Sequence, residues 1–193
     1  HKYTMKKIVI FASGSGSNAQ RIAEYFKERN DARVDLILSN KPTAKVLERA
    51  TKLDISSFSF NKKAFYETNH VSKLLDAIQP DLIVLAGFLW LFPKAIIKSY
   101  EGKIINIHPA LLPSYGGKGM YGANVHNAVV TAKEKESGIS IHYVTENYDE
   151  GAIIFQAKTK LNSEETAESL AAKIHQLEYE HFPRVIAALL EKQ

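Results

Sequence analysis

The sequence predicts an α/β fold built on one doubly wound, mostly parallel sheet, and three observations carry that reading. Short apolar runs recur along the chain, and most are followed by a stretch with helical spacing. The runs lack polar alternation, as strands covered on both faces do. Repeated strand–helix alternation then implies right-handed crossovers and a parallel sheet. With 193 residues, 45% of them hydrophobic and 24% charged, the chain suits one well-buried domain.

The elements follow in order. Lys7 to Ala12 is a continuous apolar strand, and the small-residue loop Ser13-Gly14-Ser15-Gly16-Ser17-Asn18 leads into a helix carrying Ile22, Ala23, Tyr25 and Phe26. Val34 to Ser39 is the next strand, Ala44 to Leu53 a helix, and Ile55 to Phe60 a short strand. Val71, Leu74, Leu75 and Ile78 place one helix over Phe65 to Ile78, ended by Pro80. Asp81 to Ala86 is a strand, Pro93 to Lys98 a short helix, and Lys103 to Ile107 another buried strand.

The pattern then changes. Leu112 to Gly122 is a Gly/Pro-rich loop and Ala123 to Lys133 a helix. Gly138 to Thr145 and Ala152 to Leu161 read as an antiparallel strand pair near one edge of the sheet. A long C-terminal helix covers Glu164 to Glu191, with Pro183 expected to kink or break it. His1 to Thr4 precede Met5 and read as a tag remnant, leaving one domain over residues 5–193.

Composition bounds the function. The absence of cysteine removes disulfide and thiolate chemistry, and with no signal peptide or long apolar run the expectation is a cytoplasmic protein without membrane contact. A net charge of +4 permits anionic ligands. The basic residues are scattered, without the aromatic stripe of an RNA reader, so no nucleic-acid partner is expected. The histidines show no zinc-ligand spacing, and no metal is expected.

The chemistry concentrates in Lys103-Ile104-Ile105-Asn106-Ile107-His108-Pro109-Ala110-Leu111-Leu112-Pro113 and in Tyr148-Asp149-Glu150-Gly151. Side chains alternate along a strand, so Asn106 and His108 project to one side where it ends. Pro109 stops the ladder and leaves the imidazole at the lip of a crevice. Asn106, His108 and Asp149 suit acyl transfer between nitrogens: donors stabilise a developing oxyanion, and a carboxylate raises the imidazole pKa and can hold a water that relays the proton. Each residue alone would more often be structural. Their company at a strand end favours a catalytic site.

Gly16, Ser17 and Asn18 lie where glycines and a helix N-terminus can hold a phosphate. A tight turn with a Ser or Asn cap is an equal reading of that loop from its residues alone. Leu89, Trp90, Leu91 and Phe92 follow an apolar strand and read as a wall for a flat ligand, or as core. Glu178, on the last helix, can accept bonds from sugar hydroxyls. His142 reads as structural.

Several of these segments, in this order and spacing, resemble the folate-dependent phosphoribosylglycinamide formyltransferases of purine biosynthesis from Met5 onward. They are Ser13 to Asn18, Leu85-Ala86-Gly87-Phe88, Asn106 to Pro113, Ser140 to Thr145 and Asp149-Glu150-Gly151. The resemblance implies a Rossmann-like formyltransferase fold and formyl transfer from 10-formyltetrahydrofolate, as co-substrate, to the amine of phosphoribosylglycinamide. It implies Asn106, His108 and Asp149 as the catalytic trio, with His108 donating a proton and Asp149 raising its pKa. Gly16, Ser17 and Asn18 would hold the substrate phosphate, and His175 and Glu178 the ribose. Folate would contact Lys62, Leu89, Trp90, Leu91, Phe92, Asn106, Thr145, Glu146, Asn147, Tyr148 and Asp149. A homodimer is compatible with the resemblance.

This chain has Trp90 where the family often has Arg, and its basic folate-site residue is Lys62 or Lys63. The Gly116-Gly117-Lys118-Gly119 loop also departs from the common form, with no consequence expected for the trio. Formyl transfer to methionyl-tRNA is the nearest alternative. It is weakened by the Ser/Gly loop and by the expectation that no RNA-binding domain follows. A 10-formyltetrahydrofolate hydrolase would share the trio but resembles longer chains, and a non-catalytic phosphosugar-binding module would not account for it.

Overall fold

The computed structural model describes residues 4–193, so the tag expected at the N-terminus lies, apart from Thr4, outside the described residues. Seven strands form one sheet: β1 (Lys6–Phe11), β2 (Ala32–Ser39), β3 (Ser57–Ser59), β4 (Leu82–Leu85), β5 (Ile104–His108), β6 (Glu136–Tyr143) and β7 (Ile153–Lys160). Their order is β3-β2-β1-β4-β5-β6-β7; the first five run parallel, while β6 and β7 add antiparallel. The helices are α1 (Ser17–Lys27), α2 (Lys45–Lys52), α3 (His70–Ile78), α4 (Lys94–Ser99), α5 (Ala123–Thr131) and α6 (Ala167–Glu191).

Alternation along β1 shows why the central strands are wholly apolar. Ile8 and Ile10 enter one core with Ile22 and Phe26 of α1, Val125 of α5, and Leu170, Ile174 and Phe182 of α6. Val9 and Phe11 enter the opposite core with Val71 and Leu75 of α3, Phe65, Phe92 and Ile96. Burying each such side chain contributes about 1.5–3 kcal/mol, so a polar residue on either face of β1 would be costly.

One expectation needs correction and another is narrowed. The helix foreseen over Phe65 to Ile78 is divided into a π-helical turn at Lys63–Glu67 and α3, which starts at His70. Asn69 sits between them at φ 61°, a left-handed conformation that Asn tolerates better than most residues. The turn buries Phe65 against Phe11, Phe60, Phe88 and Phe92, a position the helical period did not foresee.

Pro183 does not break α6, which runs unbroken from Ala167 to Glu191. A proline deprives the carbonyl four residues back of its N–H partner. Here that carbonyl belongs to Tyr179, and it accepts a hydrogen bond from Arg21 Nε of α1 at 3.0 Å. The guanidinium also lies 4.1 Å from the centre of the Tyr179 ring. Arg21→Met should therefore cost about 0.5–1.5 kcal/mol, and less in a Pro183→Ala background, where a restored N–H can satisfy Tyr179. Denaturant titration of the four proteins checks this, and an equal cost in both backgrounds would contradict it.

Candidate active site

The chain runs outward from β1 to β2 and β3, then returns to β4 on the other side of β1. Such a reversal opens a crevice at the carboxyl ends of the strands. A cleft of about 520 Å³ occupies it, lined by Ser13 to Asn18 after β1, Ala86 to Leu89 after β4, Asn106 to Pro109 from β5, and parts of α5 and α6.

Ser13 pins the lips together. Its backbone N–H donates to the Gly87 carbonyl at 3.0 Å, and its hydroxyl donates to Asn40 Oδ1 at 2.7 Å while accepting from the Leu89 N–H at 3.0 Å. Carbonyls of the following loop are tied to α2: Gly14 accepts from Val46 N at 3.0 Å and Ser15 from Arg49 Nε at 2.6 Å. Gly16 caps α1 at φ 76° with no side-chain cap, so the first N–H groups of the helix have no acceptor there. A Cβ at Gly16 would stand 2.4 Å from Val46, which explains the glycine by close approach as well as by φ.

Asn106 and His108 share one side of β5, as expected, but the imidazole is not at the lip. His108 is the last residue of the strand and only 3% exposed, on the cleft's inner wall. The loop after it is held from behind. Buried Ser140 donates to the Ala110 carbonyl at 2.7 Å and accepts from Leu112 N at 2.9 Å, while Gln156 Nε2 reaches both Ser140 Oγ (2.9 Å) and the Leu112 carbonyl (3.0 Å).

Asp149, in the turn between β6 and β7, comes to 3.5 Å from His108 Nδ1. The structure thus brings all three sequence-selected polar groups together. His142 joins them: it pairs with Asn106 across the β5–β6 ladder, and its Nε2 lies 3.1 Å from Asn106 Nδ2. His142 Nδ1 faces the Tyr143 carbonyl at 2.8 Å and therefore carries a proton. In the neutral ring Nε2 then accepts from Asn106, which orients the amide and leaves its second N–H uncommitted.

The glycine-rich loop also takes part, contrary to expectation. His108 Nε2 donates to the Tyr115 carbonyl at 2.7 Å, and Gly117 N–H donates to Asp149 Oδ2 at 3.0 Å. A Cβ at Gly116 would stand 2.6 Å from the tip of the Leu112 side chain and 3.2 Å from Asp149 Cβ, so a larger residue there would have to displace Leu112 and press on Asp149.

Asp149 raises the His108 pKa as expected, but burial outweighs it. Burial lowers the His108 pKa below its ordinary value; Asp149 and the Tyr115 carbonyl pull it upward without prevailing, and His142 adds to the lowering. Burial pushes Asp149 upward, yet His142 Nε2, 3.6 Å from Asp149 Oδ1, together with the His108 charge and the Gly117 N–H holds its carboxyl below the usual range. The resting pair is a carboxylate facing a largely neutral imidazole at neutral pH.

Other selected residues divide. His175 and Glu178 both line the cleft, 3.6 Å apart, and the bond to Glu178 raises the His175 pKa. Leu89 and Tyr148 line it as well, with the Tyr148 hydroxyl donating to the Leu89 carbonyl at 3.2 Å. Phe92 is 3% exposed within the aromatic core and does not reach the cleft. Trp90 and Lys62 line a separate depression, with the ammonium 5.6 Å from the indole centre. The Leu91 carbonyl accepts from Tyr66 at 2.7 Å. Thr145 and Asn147 bond each other within their turn, and Glu146 pairs with Lys94 at 3.4 Å. The expected wall for a flat ligand is thus reduced, within this cleft, to Leu89 and its neighbours, because Phe92 belongs to the core.

Lys41 and His126 also line the cleft and were not singled out from the sequence. Lys41 follows the carboxyl end of β2, where the crevice rule could have found it. His126 lies between buried Val125 and Val129 on α5 and carries no motif.

A profile of the formyl transferase family matches residues 6–186. A phosphoribosylglycinamide formyltransferase of Bacillus subtilis is 40% identical over 193 residues, covering 96% of this chain and 95% of its own. The crystal structure of phosphoribosylglycinamide formyltransferase from Bacillus halodurans superposes with a TM-score of 0.86 at 35% identity, covering 97% of this chain and 96% of that one. Glycinamide ribonucleotide transformylase 1 from Geobacillus kaustophilus superposes with a TM-score of 0.87 at 36% identity, covering 97% and 100%. The chain belongs to the formyl transferase family, in its phosphoribosylglycinamide formyltransferase branch.

In the free protein, His108 should titrate below 6.5, and Asp149→Asn should lower the value further by removing the charge that favours imidazolium. Ring resonances followed by NMR against pH check this. A value at or above 6.5, or one unmoved by the substitution, would contradict the balance described.

Proposed function

We propose that this cleft transfers a formyl group from 10-formyltetrahydrofolate to the amine of phosphoribosylglycinamide in purine biosynthesis, with Asn106, His108 and Asp149 as the catalytic residues. The observation that carries the reading is one cleft holding a loop of free N–H donors, a diol-compatible carboxylate at Glu178, and the Asn106/His108/Asp149 cluster. Gly16, Ser17 and Asn18 bind the phosphate, with Lys41 adding a cation at the rim, and His175 and Glu178 bind the ribose. Phe88, Leu89, Pro109 and Tyr148 offer an apolar surface beside the Asn106 donor, which fits a flat formyl-bearing heterocycle. We assign the folate tail to the neighbouring depression at Lys62 and Trp90. The reading extends to one formyltransferase domain from Met5 onward.

Bound 10-formyltetrahydrofolate supplies the formyl carbon that the amine attacks. Asn106 directs its free amide N–H at the formyl oxygen as that atom gains negative charge. His108, neutral at rest with its proton on Nε2, accepts the proton released by the amine at Nδ1. Asp149 stabilises the imidazolium so formed, and His108 returns the proton to the leaving nitrogen as the carbon–nitrogen bond breaks. The new bond, the broken bond and the single proton balance.

Asp149→Asn should lower kcat by about 10²–10³ with little change in KM, because the imidazolium exists only along the reaction path; near-normal turnover would contradict the role. Asn18→Ala should raise KM for phosphoribosylglycinamide while leaving folate binding unchanged; equal losses for both would make the loop structural. Steady-state assays measure both, and using methionyl-tRNA as the alternative acceptor should give no transfer.

A further inference from the structure

Among the described residues, His126 is the one buried titratable side chain on the cleft that the mechanism above does not use. It is 8% exposed, on the inner side of α5, where Val125 and Val129 are fully packed. Packing alone would be served better by an aliphatic side chain, since an unpaired buried polar group is costly. The imidazole nevertheless lines the cleft together with Ile174, His175 and Glu178 of α6.

Its two nitrogens differ. Nδ1 is buried without a hydrogen-bond partner, whereas Nε2 bonds none of the described residues and is not sealed off from the cleft. Nε2 is therefore the nitrogen open to the cleft. Nδ1 lacks a partner in either tautomer, and the negative charge of Glu178 on the same cleft wall favours the proton on the cleft-facing Nε2. Burial lowers the His126 pKa, Glu178 opposes this and His108 adds to it, so the ring rests neutral at pH 7. The wall around His126 thus presents a neutral N–H donor together with a carboxylate acceptor. A hydroxyl can donate to the second while accepting from the first, and a vicinal diol offers two such groups.

We propose that His126 is a substrate-binding residue that donates its Nε2–H to a sugar hydroxyl held at Glu178. The proposal rests on the reading of this cleft as a phosphoribosyl-amine site and deepens it, by assigning a donor for the sugar beside its acceptor. It makes α5 part of the recognition of the amine substrate and leaves folate recognition to other elements.

The test compares the parent enzyme with His126→Phe, which keeps the ring shape without the N–H, and with His126→Asn, which keeps a donor. His126→Phe should raise KM for phosphoribosylglycinamide about 3- to 10-fold, the range for one neutral hydrogen bond, with kcat within about twofold and the folate KM unchanged. His126→Asn should recover part of the loss. With the 2′-deoxy or the 3′-deoxy substrate, parent and His126→Phe should become equal. An unchanged KM, or equal losses for both substrates, would overturn the proposal.

A second measurement needs no variant and no turnover. Ribose 5-phosphate titrated into the protein labelled with ¹⁵N-histidine should shift Nε2 of His126, while inorganic phosphate alone should not. No response of His126 to ribose 5-phosphate would overturn the proposal even if the variants fail to fold. If the parent enzyme did not formylate phosphoribosylglycinamide, the proposed acceptor would fall, whereas this titration would still decide whether His126 meets a sugar.

Discussion

The site depends on the reversal of strand order between β1 and β4. A chain that built all its strands in one direction would lay successive loops against one another and leave no space at the carboxyl ends. Because β2 lies on one side of β1 and β4 on the other, the loops after β1 and β4 part, and Ser13 bridges the gap through Gly87, Asn40 and Leu89. Each bond involves a nearly buried serine, so its loss would leave polar groups unpaired beside the cleft. The anion-binding loop, the wall at Leu89 and the end of β5 are positioned relative to one another by this junction.

Burial and charge pairing compete within that frame. Sinking His108 into the wall lowers its pKa, while Asp149 opposes the change from 3.5 Å. A residue that rests neutral but becomes cheap to protonate when an amine releases a proton suits a shuttle better than one that is permanently charged. The glycine-rich loop sets the poise, since its Tyr115 carbonyl fixes the His108 tautomer and its Gly117 N–H helps keep Asp149 ionised. Asn106 is steadied by His142, from the neighbouring strand, whose Nε2 also lies 3.6 Å from Asp149 Oδ1 and so ties the amide to the same cluster.

Local signals reached much of this. Apolar runs locate the parallel strands. Asn106 and His108 stand out because strand alternation and Pro109 make a distinctive local pattern, whereas Asp149 joins them through its chemistry and the family resemblance of Asp149-Glu150-Gly151. The imidazole's depth was missed because sequence does not report how far β6 and the 115–117 loop fold over a strand end. His142 lies directly across the ladder from Asn106, but only the register reveals that pairing. Gly116 and Gly117 read as ordinary loop residues until Asp149 is seen against them. Of the kink or break that Pro183 suggests, the break is absent, and the partner of the freed Tyr179 carbonyl, Arg21, comes from a helix far away in the chain. Asn69 and the π-helical turn show the same limit, with the buried aromatic cluster overriding a periodic pattern. His126 occupies an otherwise apolar helix face and offers no local clue.

The central claim is that one cleft brings a phosphorylated amine and a formyl donor together at Asn106 and His108. A crystal structure with phosphoribosylglycinamide and a non-transferable analogue of 10-formyltetrahydrofolate tests it most directly. The account predicts the phosphate on the N–H groups of Gly16, Ser17 and Asn18, the formyl oxygen facing the Asn106 amide, and the amine about 3–3.5 Å from the formyl carbon beside His108. A phosphate bound away from that loop, or a formyl group remote from Asn106 and His108, would contradict it.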